Sequence, residues 1–296
     1  MAFIELLESS LPLFLFAVGL FGLCVGSFLN VVIFRLPKML QQQWIEQCNE
    51  LLNPDVDVDS ESDSKKEKFN LLTPASTCRN CGHKITALEN IPVISYIFLR
   101  GRCANCKDKV SLRYPIVELL TAILSIVVAL HFGVTWQCAT ALLLTWSLVA
   151  LSFIDFDHQI LPDVITLPFL WLGLLGNLFG LFTDVQSAVI GAAAGYLSLW
   201  LVYHAFKLLT GKEGMGFGDF KLLGLFGAWF GWQLLPLVIL LSAFSGAVIG
   251  IALIVLRGRD RNIPIPFGPY LAIAGWIAML WGEKVIDSYL QIAGIA

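Results

Sequence analysis

Two aspartates at the ends of long apolar runs are the residues of this chain best placed to do chemistry. Asp155 lies in Phe153-Ile-Asp-Phe-Asp-His-Gln-Ile-Leu-Pro-Asp163, and Asp219 closes Gly214-Met-Gly-Phe-Gly-Asp219. An ionised carboxylate next to an apolar span is costly and marks a functional position by default. Two carboxylates within about 3 Å cannot both ionise readily, so such a pair holds one proton near neutral pH. The charged member can deprotonate a water. The protonated member can hydrogen-bond a scissile carbonyl and then pass its proton to the leaving amine. That chemistry is aspartic proteolysis, which needs neither a metal nor a nucleophilic Ser or Cys. The sequence has no Gly-x-Ser-x-Gly elbow and no His-Glu-x-x-His helix.

A second constellation is Cys78-x-x-Cys81 with Cys103-x-x-Cys106, two tight pairs separated by 21 residues. Four thiols at this spacing read as a closed, tetrahedral structural zinc site, and all-cysteine sites seldom do chemistry. Disulfides are the competing reading, and a reducing location disfavours them. Cys24 and Cys138 fall in apolar runs and read as packing residues, while Cys48 is an unpaired loop cysteine.

These residues must be positioned by membrane helices. The chain is 57% hydrophobic and only 14% charged, with mean hydropathy +0.77, against about 25% charged residues in a soluble domain. A net charge of −3 and the lack of a basic, aromatic-interleaved stripe exclude nucleic acid as a partner. The expected fold is an all-α polytopic membrane protein of about eight transmembrane helices. These lie near Leu11 to Phe34, Ile116 to Phe132, Trp136 to Ile154, Val164 to Phe182, Ser187 to Leu208, Phe220 to Gly231, Leu234 to Leu256 and Phe267 to Gly282. The sixth run is short and carries Gly224, Gly227 and Gly231, which fits a tilted span, very close packing or a re-entrant segment.

This arrangement divides into a first transmembrane helix (1–36), a small four-cysteine zinc-binding insertion (37–114) and a multi-helix aspartic peptidase domain (115–296). Within the insertion, Gln41 to Leu52 reads as a short helix, and residues 53–68 form an acidic, then basic stretch with almost no large apolar groups, expected to be mobile. A metal staple would support so small a core. Of the 19 Lys and Arg, 18 fall on one side of the eight-span scheme and only Lys284 is left over. Positively charged loops stay cytoplasmic, so the N-terminus is expected outside, with the cysteine insertion and both aspartates at the cytoplasmic face. Glu5 and Glu8 precede the first run in place of a basic n-region, so it reads as a retained span.

Each site residue also has a structural role available. Pro162-Asp163 before an apolar run reads as a helix start, with Asp163 satisfying free amides. Asp157 and His158 read as loop residues at headgroup level. Asp219 can cap the helix that begins at Phe220. Gly214, Gly216 and Gly218 at alternate positions permit positive-φ backbone and close approach, placing Gly216 and Gly218 in an active-site loop.

In their order along the chain, several segments together resemble the bacterial type IV prepilin peptidases, a family with both leader peptidase and N-methyltransferase activity. They are Gly26-Ser-Phe-Leu-Asn-Val-Val-Ile-Phe-Arg-Leu-Pro37, the two cysteine pairs, Ser111-Leu-Arg-Tyr-Pro115 with Glu118, Asp155-x6-Pro162-Asp163, Gly214-Met-Gly-Phe-Gly-Asp-Phe-Lys221 and Ile265-Pro-Phe-Gly-Pro269. The resemblance implies that Asp155 and Asp219 are the catalytic pair. It implies cleavage of the leaders of prepilins and pilin-like (pseudopilin) type II secretion proteins after a glycine, at the cytoplasmic face of the inner membrane. Methylation of the new N-terminus from S-adenosylmethionine would follow. Gly26, Asn30 and Gly101 are candidates for methyl transfer, against helix packing, an interhelical hydrogen bond and turn geometry, respectively. No Rossmann fingerprint is present. Membrane lipid is the expected surroundings, and nothing in the sequence specifies an oligomeric state. A cation-coupled transporter is the alternative class, but it would place its acids near midplane and often shows related halves. A prenyltransferase would need denser acid clusters than Asp155-x-Asp157.

Overall fold

The computed structural model describes residues 2–52, 69–257 and 266–294; the acidic stretch 53–68, Arg259, Arg261 and Ile265 lie outside them. Among the described residues ten α-helices follow one another: α1 (Ala2–Ser9), α2 (Leu11–Leu52), α3 (Ile94–Phe98), α4 (Arg113–Phe132), α5 (Trp136–His158), α6 (Asp163–Asn177), α7 (Val185–Thr210), α8 (Phe217–Phe230), α9 (Leu235–Arg257) and α10 (Gly268–Ile292). Among the described residues there are isolated β-bridges but no strand. A helix occupies each of the eight predicted runs. Leu11–Leu52, Arg113–Phe132, Trp136–His158, Val185–Thr210 and Trp232–Ala252 are long and apolar enough to cross a membrane. The helices α6 and α8 have 15 and 14 residues.

The chain forms two compact units, residues 5–127 and residues 128–296 with 1–4. In the first unit, α2 and α4 pack antiparallel through small residues. A Cβ on Gly22 would stand 2.9 Å from Ala122 Cα, and one on Gly26 2.7 Å from Glu118 Cα. Backbones can approach that closely only where side chains are missing, as at small-residue membrane interfaces. The helix α2 continues through Pro37 to Leu52 without the break expected between a span and a short helix over 41–52. Pro37 removes only the rung to the Ile33 carbonyl. Two residues before Pro37, Arg35, buried on α2, donates to the carbonyls of Asn70 (2.9 Å), Leu71 (3.4 Å) and Pro74 (2.6 Å), tying down the chain that leads into the cysteine region.

In the second unit α8 is the central helix, buried from Asp219 to Phe230 except at Lys221. It runs antiparallel to α7. A Cβ on Gly227 would meet the Gly191 carbonyl, and one on Gly195 would stand 2.6 Å from the Leu223 carbonyl. Very close packing is therefore the outcome for the glycine-interrupted sixth run. The far end of α8 is closed by Asn177. Its Nδ2 donates to the Ala228 and Trp229 carbonyls at 2.9 Å, and its Oδ1 accepts from the Phe182 and Thr183 amides at 3.0 and 3.1 Å. One buried side chain thus satisfies orphan carbonyls at a helix end. Antiparallel to α5, α10 is held to it by Trp276 Nε1 donating to Thr145 Oγ1 at 3.1 Å.

Candidate active site and metal centre

Asp155 is not in a loop after α5 but inside its last turn. The helix runs on to His158 and ends at Gln159, left-handed at φ 55° and ψ 40°, whose N–H bonds the Asp155 carbonyl at 2.8 Å. The extra turn carries the carboxyl group inward, where Asp155 is 6% exposed. Its Oδ2 accepts the Gly268 backbone N–H at 3.0 Å. Asp219 lies in the first turn of α8, which starts at Phe217 with Gly216 as N-cap. It is 7% exposed and reaches back to the Gly216 amide, a third helical residue satisfying the cap residue's backbone.

The two carboxyl groups are near enough to interact electrostatically, and Leu161 organises the space around them. A Cβ on Gly218 would stand 2.7 Å from Leu161 Cβ, and one on Gly268 would stand 3.1 Å from Leu161 Cδ2 and 2.6 Å from Asp155 Oδ2. The residue before Asp219 and the residue that donates to Asp155 thus both lack a side chain, and Leu161 wedges against both. Close approach is the reason for Gly218. The positive-φ expectation fails for this loop, since Gly214, Gly216 and Gly218 are absent from the positive-φ residues. Gly216 is extended at φ −84° and ψ 151°, and a Cβ there meets only ordinary contacts.

Asp163 does not cap α6. Pro162 is the N-cap and makes no side-chain cap bond. The Asp163 carboxylate instead takes Lys221 Nζ at 2.7 Å on each oxygen, joining the start of α6 to the first turn of α8. Asp157 and His158 are exposed, on the last helical turn rather than in a loop. Cys138 is buried as expected, whereas Cys24 is exposed on α2, and Cys48 is helical.

The four cysteines do come together, all sulfurs within 4.8 Å of one another. Cys78 Sγ is 3.8 Å from Cys106 Sγ, and Cys81 Sγ is 3.9 Å from Cys103 Sγ. Metal–sulfur bonds of about 2.3 Å in a tetrahedron require sulfur–sulfur edges of about 3.8 Å, while a disulfide needs about 2.05 Å. All four are free thiols, and their spacing fits a tetrahedral thiophilic ion. The two knuckles repeat one another. Cys78 N–H bonds the His83 carbonyl, Gly82 N–H the Cys78 carbonyl and Ile85 N–H the Ser76 carbonyl. Cys103, Lys107 and Val110 repeat this on Asp108, Cys103 and Gly101. Bridges Thr77 to Lys84 and Arg102 to Lys109 complete the match. Asn80 and Asn105 occupy equivalent places, each donating to a sulfur of the opposite knuckle, Cys106 at 4.0 Å and Cys81 at 3.8 Å. Such outer hydrogen bonds orient metal ligands. Backbone N–H groups of Cys81 and Asn80 hold the Cys78 thiol down to about 6. At Cys106 the Asp108 amide pulls the other way, but burial and the neighbouring Cys81, Cys103 and Cys78 thiols push it up to about 11.

The methyl-transfer candidates are held by scaffold contacts. Gly26 abuts α4 at Glu118, Asn30 Nδ2 donates to the Tyr114 carbonyl at 3.1 Å, and Gly101 turns the chain at φ 67° against the Tyr96 hydroxyl. Gly26 and Asn30 both face the first turns of α4. Glu118, buried there, accepts the Val93 N–H at 2.8 Å, where Val93 holds φ 60° and ψ −46°, an outlying conformation for a β-branched residue.

Sequence reasoning missed Gly268 and Lys221 as contributors to the site. Pro269 at the start of an apolar run signalled a helix opening at this point, but nothing local to the sequence ties that turn to Asp155.

Fold and site together define a polytopic helical membrane protein with two buried, interacting carboxyl groups at helix ends and a four-thiol cluster whose spacing fits a metal ion. Residues 20–132 match the bacterial peptidase A24 N-terminal domain, and residues 142–251 match the type IV leader peptidase family. The prepilin leader peptidase/N-methyltransferase of Pseudomonas aeruginosa is 54% identical over 294 residues, 99% of each chain. The protein of the same name from Aeromonas hydrophila is 56% identical over 98% of this chain and 99% of its own. That of Legionella pneumophila is 47% identical over 94% and 96%. The chain belongs to the prepilin leader peptidase/N-methyltransferase family. No solved structure matches it.

Proposed function

We propose that this protein cleaves the leader peptides of type IV prepilins and pilin-like secretion proteins and then methylates the new N-terminus. The convergence of Asp155 and Asp219 around Leu161, in a chain so similar to named leader peptidases, carries the reading. The pair shares one proton. One carboxylate takes a proton from the attacking water, and the other hydrogen-bonds the scissile carbonyl, then protonates the leaving amine. The Gly268 amide fixes one oxygen of Asp155, so that its other oxygen is free to face water and substrate. The bond cut follows a glycine, whose lack of a side chain suits a pair enclosed this tightly.

The inner membrane is the proposed location, with the N-terminus outside and the aspartates at the cytoplasmic face, because 18 of 19 Lys and Arg fall on that side of the eight-span scheme. Residues 37–114 form the proposed zinc-binding domain and 115–296 the peptidase domain. Zinc held by Cys78, Cys81, Cys103 and Cys106 would lock the two knuckles together. S-adenosylmethionine is the methyl donor implied by the names of the relatives, with Gly26, Asn30 and Gly101 as positioning residues.

Mass spectrometry of a prepilin incubated with the detergent-purified protein, with and without S-adenosylmethionine, tests both halves. Removal of the leader after its glycine, followed by gain of one methyl group with cofactor present, is expected. Intact prepilin from folded protein would overturn the peptidase reading, and cleavage without methylation would overturn the second half.

A further inference from the structure

Glu118 is a buried carboxylate that neither the aspartate pair nor the cysteine cluster uses. It lies in the second turn of α4, a helix apolar enough to cross a membrane, and is 8% exposed. An acid in such a helix is costly and points to function by default. Ser27 of α2 hydrogen-bonds its carboxyl group, and its Oε2 accepts the Val93 N–H at 2.8 Å. Val93 is itself held at a cost. Ile94 N–H bonds back to the Pro92 carbonyl across it, and φ 60° with ψ −46° is the rarer, strained form of such a three-residue turn, open to glycine but poor for a β-branched side chain. Two unfavourable features are thus bonded to each other. Packing of α2 against α4 requires neither, since Gly22 and Gly26 already close that contact.

What the bonded pair controls is the path from α4 to Gly101. Val93 opens directly into α3. On α3 the Tyr96 carbonyl accepts the Gly101 N–H at 2.8 Å, and its hydroxyl donates to the Val110 carbonyl at 3.2 Å. A Cβ on Gly101 would stand 2.7 Å from that hydroxyl. On the other side of Glu118, Gly26 abuts its Cα, and Asn30 donates to the carbonyl of Tyr114, one turn earlier on α4. Glu118 therefore connects the three methyl-transfer candidates. We propose that Glu118 is a positioning residue for methyl transfer: its carboxylate holds the Val93 turn, and the turn sets α3 and Gly101 against α2. The proposal rests on the methylation reading above. Backbone strain persists where surrounding bonds over-determine it and collects at functional sites. Without the Glu118 acceptor the turn relaxes, and Gly101 shifts relative to Gly26 and Asn30.

Reconstituted full-length protein is given an already cleaved pilin and S-adenosylmethionine, and methylation is followed by mass spectrometry. Leader cleavage of a prepilin, bound metal and hydrogen exchange of residues 93–101 are measured on the same samples. Glu118→Leu removes the acceptor and keeps the bulk. Its kcat for methylation is expected to fall about a hundredfold, the cost of a misplacement of about 1 Å, while cleavage and metal content stay within about twofold of wild type. Exchange at 93–101 should quicken. Glu118→Gln keeps an oxygen that accepts the Val93 N–H and should recover about tenfold of that loss, the worth of a neutral hydrogen bond. Val93→Gly takes the positive φ with little strain, so adding it to Glu118→Leu should also recover about tenfold. Neither a proton-transfer role nor simple helix packing would give that second rescue. Methylation by Glu118→Leu at the wild-type rate, or no recovery on adding Val93→Gly, overturns the proposal. Should wild type transfer no methyl group at all, the methylation reading itself fails and takes this proposal with it.

Discussion

The four thiols come from two turns of the same shape, each closed by its own backbone hydrogen bonds, whereas Asp155 and Asp219 come from the end of one helix and the start of another, 64 residues apart. A knuckle fixes two ligands before any tertiary contact forms, so joining two knuckles is enough to close the metal centre. The carboxyl pair has no local template. It exists because α7 and α8 meet backbone to backbone at Gly191 and Gly227, and because Leu161 wedges between Gly218 and Gly268. Loss of one contact should leave a locally built site nearly intact and disable a globally built one.

The sharpest test of that contrast is removal of the acids themselves. Asp155→Asn and Asp219→Asn are each expected to reduce leader cleavage by about a thousandfold or more, within the range for losing a general acid or base. Methylation of an already processed pilin, measured by mass spectrometry, should continue. A single variant that cleaves at the wild-type rate removes that acid from the pair.

Next in size is Gly268→Ala, which adds one methyl group 2.6 Å from Asp155 Oδ2. The carboxylate or the turn must shift, and a misplacement of about 1 Å costs about a hundredfold in rate. The loss should appear in kcat, with KM for a prepilin little changed. Equal activity would mean that the turn can yield without moving Asp155.

At the metal centre the expected effect on cleavage is small. Cys81→Ser should lower bound metal, measured by elemental analysis, and expose residues 78–106 to limited proteolysis, while leader cleavage stays within about threefold of wild type. Metal uptake by stripped protein should weaken as the pH falls through about 6, where the Cys78 thiol takes up its proton, because the thiolate is the ligand. A large fall in cleavage on metal removal would show that the two sites are not energetically separate.

The same contrast explains what could be read from the sequence. Cysteine spacing encoded the four-thiol cluster because its geometry is local, although the 25-residue correspondence between the knuckles emerges only from their hydrogen bonds. The helical class and the two acids were legible from apolar runs and their interruptions. Helix ends were not. Apolarity marks where the membrane is, but α5 runs four residues past Ile154 and α8 starts three before Phe220, so both acids are helical. The three loop glycines pointed to special backbone; the structure uses Gly214 for clearance beside Phe206 and Gly218 for clearance beside Leu161, a residue of a different loop that no local window around Gly218 contains. Gly268 lies in the Ile265 to Pro269 segment that carries the resemblance, but its bond to Asp155, 113 residues away, left no local signal.

The smallest expected effect belongs to Lys221, the residue two positions after Asp219. Its ammonium lies 2.7 Å from both Asp163 oxygens, but the side chains are 28% and 52% exposed, so water and salt screen the pair. Exposed ion pairs contribute about 0.2–1 kcal/mol. Lys221→Met should therefore change cleavage less than about threefold. In a double-mutant cycle with Asp163→Asn, the coupling should stay below about 1 kcal/mol and shrink further as ionic strength rises. The helices α6 and α8 are already joined without this pair, since Trp229 Nε1 donates to the Phe169 carbonyl at 2.8 Å and Asn177 reaches the Ala228 and Trp229 carbonyls. Loss of a surface tie should thus leave Asp219 where backbone packing puts it. A hundredfold fall in activity would reverse that conclusion and place the Lys221 charge among the groups that meet the substrate.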